Sequence, residues 1–358
     1  MKSITPKARS TIRDVAKLAG VSMGTVSRVA SGDSRISEPT RARVVAAMQE
    51  LSYEPSAAAR AMRTNVTKTV GLLIPNIVCP VFTGLMAGAE EVLSENGYLL
   101  FAFTADSSPQ REVAFLQAAR QRQMDGLIVS LYDEASTDTL KSLRTVGVPL
   151  VIVDRDVAVD GDRIDIEHAS PMRSVMEHLI TLGHRRIAII GAHRNRPGRI
   201  RVRVFREAMA RAGIPVDEDL VRVDCGNEDG ADYGAAEAHD LLTSAEPPTA
   251  LIAAGSVFFS GALRSIRALN LEIPADLSFV GADDSRLGEI AGPTITVIDR
   301  DMREAGRQAA GLLLDRFAGV SLPPRRIMLT SNVLLRRSVG PVRQAARAVT
   351  TPAASATS

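Results

Sequence analysis

Only two cysteines, Cys79 and Cys225, occur in 358 residues. They lie far apart, which excludes a disulfide framework and the paired spacing of a metal site. Two buried free thiols in a reducing compartment is the simplest reading. No apolar run approaches the roughly 20 residues that cross a bilayer. The opening stretch MKSITPKARSTIRDVAKLAG has no apolar core of a signal peptide. No membrane partner is expected, and the expected location is the cytoplasm. Catalytic signatures are missing as well. No GxGxxG follows the first strand-like run, and there is neither a GxxxxGKS/T nor a GxSxG. The histidines, at 168, 178, 184, 193 and 239, show no HExxH or other paired-ligand spacing. Asp283 and Asp284 are adjacent, and neighbours on a strand or loop point apart. The chain is therefore expected not to be an enzyme and to need no cofactor or metal.

What is present is unevenly spread. Residues 1–68 hold 12 Lys/Arg against 5 Asp/Glu, while the remainder holds 31 against 36. A basic head on an acidic body suggests a polyanion partner for the head alone. A merely solvated basic face would give the same composition.

The head reads as three short helices. Thr11 is placed to cap IRDVAKLA, with Asp14 three residues on in the capping-box position, and Gly20 stops that helix. Ser22 caps MGTVSRVA, whose Val26, Val29 and Ala30 share a face. Ser37 starts a third helix, with Pro39 in its first turn and Val44, Val45, Met48 and Leu51 as its buried side. Two helices joined by a tight glycine turn, with a third behind, form a helix-turn-helix. The alternative is a three-helix scaffold packed on the body. A recognition helix must enter a groove about 12 Å wide, so its leading residues should be small or hydroxyl-bearing. Ser22, Gly24, Thr25 and Ser27 fit that need, Arg28 brings a fork suited to guanine or phosphate, and Met23 suits a thymine methyl.

From Val70 onward apolar runs alternate with helical stretches: VGLLIP, YLLFAF, DGLIVSL, VPLVIVD, RRIAIIGA, TALIAAG and LSFVGAD. Such continuous runs fit strands buried on both faces. Segments 83–96, 109–123, 170–183, 199–213 and 257–269 have helical length and composition. The fold class is α/β: a helix-turn-helix head followed by two doubly wound lobes of parallel sheet with a cleft between them. The tail after Gly340 is rich in Ala, Thr and Ser, reads as disordered, and carries no leucine heptad.

TIRDVAKLAGVSMGTVSRVAS, then YEPSAAARAM, then the α/β body resembles the lactose-repressor/galactose-repressor (LacI/GalR) family of bacterial transcription regulators over roughly residues 11–340. MDGLIVS, VIVDRD, EHLITLGHRRIAIIGA, PPTALIAAG, IPADLSFVGADD and DMREAGRQAAGLLL extend the likeness. The resemblance implies a DNA-binding domain at 1–54, a hinge segment at 55–67 and an effector-binding, dimerising body at 68–340. That body would have the type I periplasmic-binding-protein fold. Its N-subdomain would take in 68–169 and 299–329, and its C-subdomain 170–298 and 330–340. A disordered tail would occupy 341–358. Met23, Gly24, Ser27 and Arg28 would face bases, while Thr11, Ser22, Thr25, Arg35 and Tyr53 would meet the backbone. Ala59 and Met62 would sit in a hinge helix in the minor groove, with Met62 as an apolar wedge.

The resemblance also places Arg201, Asp283, Ser256 and Asp229 at an effector pocket, and Arg155 follows the strand VPLVIVD, where a ligand in the crevice would be within reach. Gly255 and Ser256 stand where sugar-binding members usually carry Asn-Asp, Glu167 and His168 where Asp-Asn is common, and Asp229 where an aromatic is frequent. A plain neutral sugar fits these departures poorly. Five arginines, at 194, 196, 199, 201 and 203, suit an anionic effector such as a sugar acid or sugar phosphate, or else mostly form a solvated helix face. The expected function is a homodimeric, effector-responsive repressor of carbohydrate or sugar-acid catabolic genes, bound to a pseudo-palindromic operator. A rival reading, a plain ligand-binding protein, would leave residues 1–63 without a task.

Overall fold

The computed structural model describes residues 10–54, 66–121, 124–224, 230–283, 286–319 and 323–342. Ala59 and Met62 with the expected hinge helix, Cys225, Asp229 and the tail from 343 lie outside them. The chain divides into two compact units, Met1–Thr67 and Lys68–Ser358.

The first unit holds α1 (Ile12–Ala19), α2 (Met23–Ala30) and α3 (Glu38–Glu50). Thr11 and Asp14 form the reciprocal capping box, and Gly20 ends α1 in left-handed backbone. Val15, Ala16, Ala19, Val26, Val29, Val44 and Ala47 close a small core. Val45, expected inside, is 41% exposed. The inward stripe of α3 runs through Val44, Ala47, Met48 and Leu51, and Val45 lies about 100° round the helix from Val44.

Among its described residues the second unit has two six-stranded sheets. The first lobe contains β1 (Thr69–Ile74), α4 (Pro80–Glu95), β2 (Leu99–Thr104), α5 (Pro109–Gln121), β3 (Gly126–Val129), α6 (Thr137–Arg144), β4 (Leu150–Val153) and β5 (Asp162–Ile166). The second contains α7 (Ala169–Thr181), β6 (Ile187–Ala192), α8 (Arg196–Arg211), β7 (Val221–Asp224), α9 (Gly230–Thr243), β8 (Ala250–Ala253), α10 (Ser256–Ala268), β9 (Ser278–Ala282), α11 (Arg286–Ile290) and β10 (Thr296–Arg300). α12 (Met302–Phe317) and β11 (Arg326–Leu329) return to the first lobe, and β12 (Ser331–Leu334) to the second. The sheet orders are β11-β5-β4-β3-β1-β2 and β12-β10-β9-β8-β6-β7.

Among the described residues, every pairing is parallel except β10 with β12. The exception follows from connectivity. Strands of both sheets end at the cleft, so a chain leaving β11 through Thr330 enters the second lobe from the cleft side and runs outward. Apolar helices cover both faces of each sheet. Helices α4 and α12 pack closely: a Cβ on Gly306 would stand 2.2 Å from the Leu85 carbonyl oxygen. YLLFAF, read as buried on both faces, is instead edge strand β2, with Leu99 and Phe101 65% and 51% exposed. β5, β7, β10, β11 and β12 carry too many charged or polar residues to stand out as apolar runs.

Candidate functional sites in the head and in the cleft

In the head, Ser22 caps α2: its Oγ accepts from the Thr25 amide at 3.1 Å and lies 3.0 Å from Thr25 Oγ1. Val26 and Val29 face the core, which turns Met23, Gly24 and Arg28 outward. Met23 is 48% exposed. Arg28 is exposed, with its Nε donating to the Gly24 carbonyl at 3.3 Å. Ser27 and Thr25 are half-buried at the edge of this face. Arg35 is exposed but folds back on Asp33 through two bonds of 3.0 and 2.8 Å, and these bonds hold the Asp33 carboxyl down at about 2. The Thr11 hydroxyl donates to Asp14 at 2.7 Å, so its first task is the cap. Tyr53 is half-buried against the core.

The second site is a cavity of about 160 Å³ at the C-terminal ends of the strands of both lobes, the usual ligand position in open α/β sheets. Arg201, Asp283, Arg155 and Ser256 all line it and are nearly inaccessible. Arg201 is 1% exposed; it donates to Asp283 at 3.1 Å and to the Ala254 carbonyl at 3.1 Å. Arg155 is fastened to the carbonyls of Leu131 and Asp154. Ser256 Oγ lies 3.0 Å from Cys79 Sγ across the cleft, and burial pushes that thiol pKa up.

Three residues join this group that the sequence reading did not select as effector contacts: Asp154, His168 and Arg300. Arg300 donates to Asp283 at 2.5 and 3.0 Å and to Asp154 at 2.7 Å. Asp154 also receives Arg196 at 2.8 Å and His168 Nε2 at 3.0 Å. Burial alone would raise the Asp154 carboxyl; His168, Arg300 and Arg155 outweigh it and hold the group at about 2. Burial lowers the pKa of His168 against the opposing pull of Asp154. His168 bridges the two groups, with Nε2 3.0 Å from Asp154 and Nδ1 3.5 Å from a guanidinium nitrogen of Arg201. Asp283 is likewise held well below the carboxylate range: burial would raise it, and Arg300 and Arg201 prevail. The missed signal is a repeat. The tripeptide DRD ends one strand run at 154–156 and another at 299–301.

The five arginines divide. α8 starts at Arg196, three residues before the expected 199, because Asn195 caps it and Pro197 fits its first turn. Arg194, Arg196 and Arg199 therefore reach across the cleft to Asp133, Asp154 and Glu134 at 3.0, 2.8 and 2.5 Å. Arg201 is buried, and Arg203 is solvated beside Glu207. A larger groove of about 540 Å³, on the outside of the first lobe between α5 and α6, contains none of the candidate residues.

The description "Bacterial regulatory proteins, lacI family" matches residues 11–56, and "Periplasmic binding protein-like domain" matches 176–339. The HTH-type transcriptional repressor PurR of Haemophilus influenzae is 32% identical over 338 residues, covering 92% of this chain and 98% of that protein. The HTH-type transcriptional regulator CelR of Thermobifida fusca is 33% identical over 341 residues, covering 93% and 99%. Among solved structures, a CelR–cellobiose complex is 31% identical with a TM-score of 0.69, covering 92% of this chain and all of that one. A lac repressor dimer bound to operator and the anti-inducer ONPF is 25% identical with a TM-score of 0.79, covering 92% and 98%. With a helix-turn-helix head and a two-lobed periplasmic-binding-protein-like body, this chain belongs to the lacI family of bacterial regulatory proteins and is a DNA-binding transcriptional regulator.

Proposed function

We propose that the chain is a homodimeric repressor of carbohydrate or sugar-acid catabolic genes whose DNA affinity is set by a small effector in the cleft. The observation that carries this reading is the outward face of α2. Met23, Gly24 and Arg28 are exposed, the helix is docked by Val26 and Val29, and the head is strongly basic. Met23, Gly24, Ser27 and Arg28 read base edges; Thr11, Ser22, Thr25, Arg35 and Tyr53 serve the phosphate backbone. Ala59 and Met62 of the hinge segment enter the minor groove. Two heads on a two-fold dimer read a pseudo-palindrome. Effector binding rotates one lobe against the other and shifts the spacing of the hinge segments, for which a coupling of about 1–3 kcal/mol suffices.

The effector contacts are Arg201, Asp283, Arg155, Ser256 and Asp229, and the effector is an anionic sugar derivative. Two observations support an acceptor-rich ligand. The carboxylates of Asp154 and Asp283 are already taken by guanidinium groups, whereas Arg201 Nε and Ser130 Oγ, both buried among the cavity-lining residues, have no hydrogen-bond partner among the described residues. α4 and α10 also begin at the cavity without side-chain caps, and helix N-termini favour anions. The closing test is selection of random duplexes by the full chain. Enrichment of one pseudo-palindromic motif is expected; retention of DNA without any enriched sequence contradicts the reading.

A further inference from the structure

We propose that the two lobes are held closed, before any effector arrives, by a latch of ion pairs centred on Asp154, with Arg300 as its bolt. Among the described residues, four ion pairs between Arg and Asp or Glu cross the cleft. Arg194–Asp133 and Arg199–Glu134 lie toward the rim, and Arg196–Asp154 and Arg300–Asp154 lie inside. The Arg196 amide also donates to Glu134 at 2.7 Å, so the first turn of α8 docks as a unit on acids of the first lobe. Arg300 binds a carboxylate from each lobe, Asp283 beside it and Asp154 opposite. The same Asp154 holds His168, at the first crossing between the lobes, and Arg300 immediately precedes the second crossing at Asp301.

A charged seam suits a joint that must open. Removing ions from water is nearly balanced by their attraction across a buried gap, and opening restores their hydration. An apolar seam of the same area would release only at the full penalty of exposing it. Closure held by charge is thus close to balance, and any ligand group that competes for Arg300 or Asp154 moves it. The rim pairs are partly exposed and weakened by salt, while the inner pairs are shielded from it.

Removal of Arg300 leaves Asp283 with Arg201, and Asp154 with Arg196 and His168, so neither carboxylate is stranded. The test needs neither DNA nor effector, so its failure is separate from failure of the regulatory reading. Cys79 and Ser256 face each other across the cleft at 3.0 Å. In the full chain, Ser256→Cys with Cys225→Ser provides one thiol on each side of the seam. Disulfide formation in a glutathione redox buffer, followed by peptide mass, then reports closure. We expect rapid crosslinking with the latch intact and crosslinking slowed about tenfold or more by Arg300→Gln. The rim pair Arg194→Gln with Arg199→Gln should slow it severalfold, and salt should slow the parent but not this rim variant. Equal rates in all backgrounds overturn the proposal. If Arg300→Gln melts without cooperativity, the rim variant decides alone, and an unchanged rate there overturns it equally.

Discussion

Asp154 and Asp283 hold the same place in the two lobes, and one guanidinium, that of Arg300, binds both. Asp154 follows β4 and Asp283 follows β9, the third strands of two sheets with matching strand order. Both adopt left-handed backbone, with φ of 51° and 69°. Asp and Asn tolerate that conformation better than most residues, because a short polar side chain bonds locally. The turn it makes brings a buried carboxylate to the cleft from each lobe.

Asp154→Asn keeps the tolerated backbone and removes the charge. It leaves Arg196 and Arg300 buried with one counter-charge fewer. A loss of about 3 kcal/mol is expected. Urea denaturation of the body should show it as a lower midpoint. An unchanged midpoint would mean that the cluster is solvated in solution.

Arg201→Ala should abolish the melting shift given by any sugar acid or sugar phosphate that stabilises the parent chain. DNA binding should persist, since the bonds of Arg201 among the described residues, to Asp283, Ala254 and His168, all lie within the body. Mobility-shift titration beside thermal-shift screening checks both halves. Joint loss of DNA binding and effector response would remove Arg201 from the pocket.

Glu112 gives the body a pH dependence of unusual sign. It is fully buried, accepting from the Tyr132 amide at 2.7 Å and from Thr139 Oγ1 at 3.1 Å. Burial raises its pKa from 4.5 to about 7, against the weaker pull of those bonds and Arg155. The folded carboxyl therefore keeps its proton where the unfolded one has lost it. Stability contributed here is full below about 4.5, falls as pH rises toward about 7, and stays low above. Glu112→Gln should flatten that slope and raise stability at pH 8, on the order of 3 kcal/mol at most. Urea midpoints of both proteins at pH 5 and pH 8 measure it; parallel slopes would refute the assignment.

Gly20→Ala isolates backbone strain in the head. The position has φ 65°, and a Cβ there meets nothing within 4 Å, so no clash adds to the strain. About 1 kcal/mol of head stability should be lost. Helical circular dichroism on melting would register it. No change would mean that the turn between α1 and α2 relaxes freely.

Local chemistry made the head legible: Thr11 with Asp14, Gly20, and the spacing of Val26 and Val29 act within a few residues. Strands buried on both faces were legible as apolar runs. Val45 and edge strand β2 were misread because exposure depends on neighbours that a local pattern does not contain. The cleft was legible only in part. Arg201 and Asp283 came from the family resemblance, whereas the bond between Asp154 and Arg300 joins residues 146 positions apart. Polar strands such as β5 and β10 carry no apolar signal, yet they end at the cleft beside His168 and Arg300.

The central claim is that the Ser22–Arg28 face reads duplex DNA. Its most direct test is the affinity of Arg28→Ala, in the full chain at one salt concentration, for the selected operator and for random duplex. Binding to the operator should weaken by about 1–3 kcal/mol, with little change on random sequence. An equal loss on both, or no loss on either, would contradict the claim.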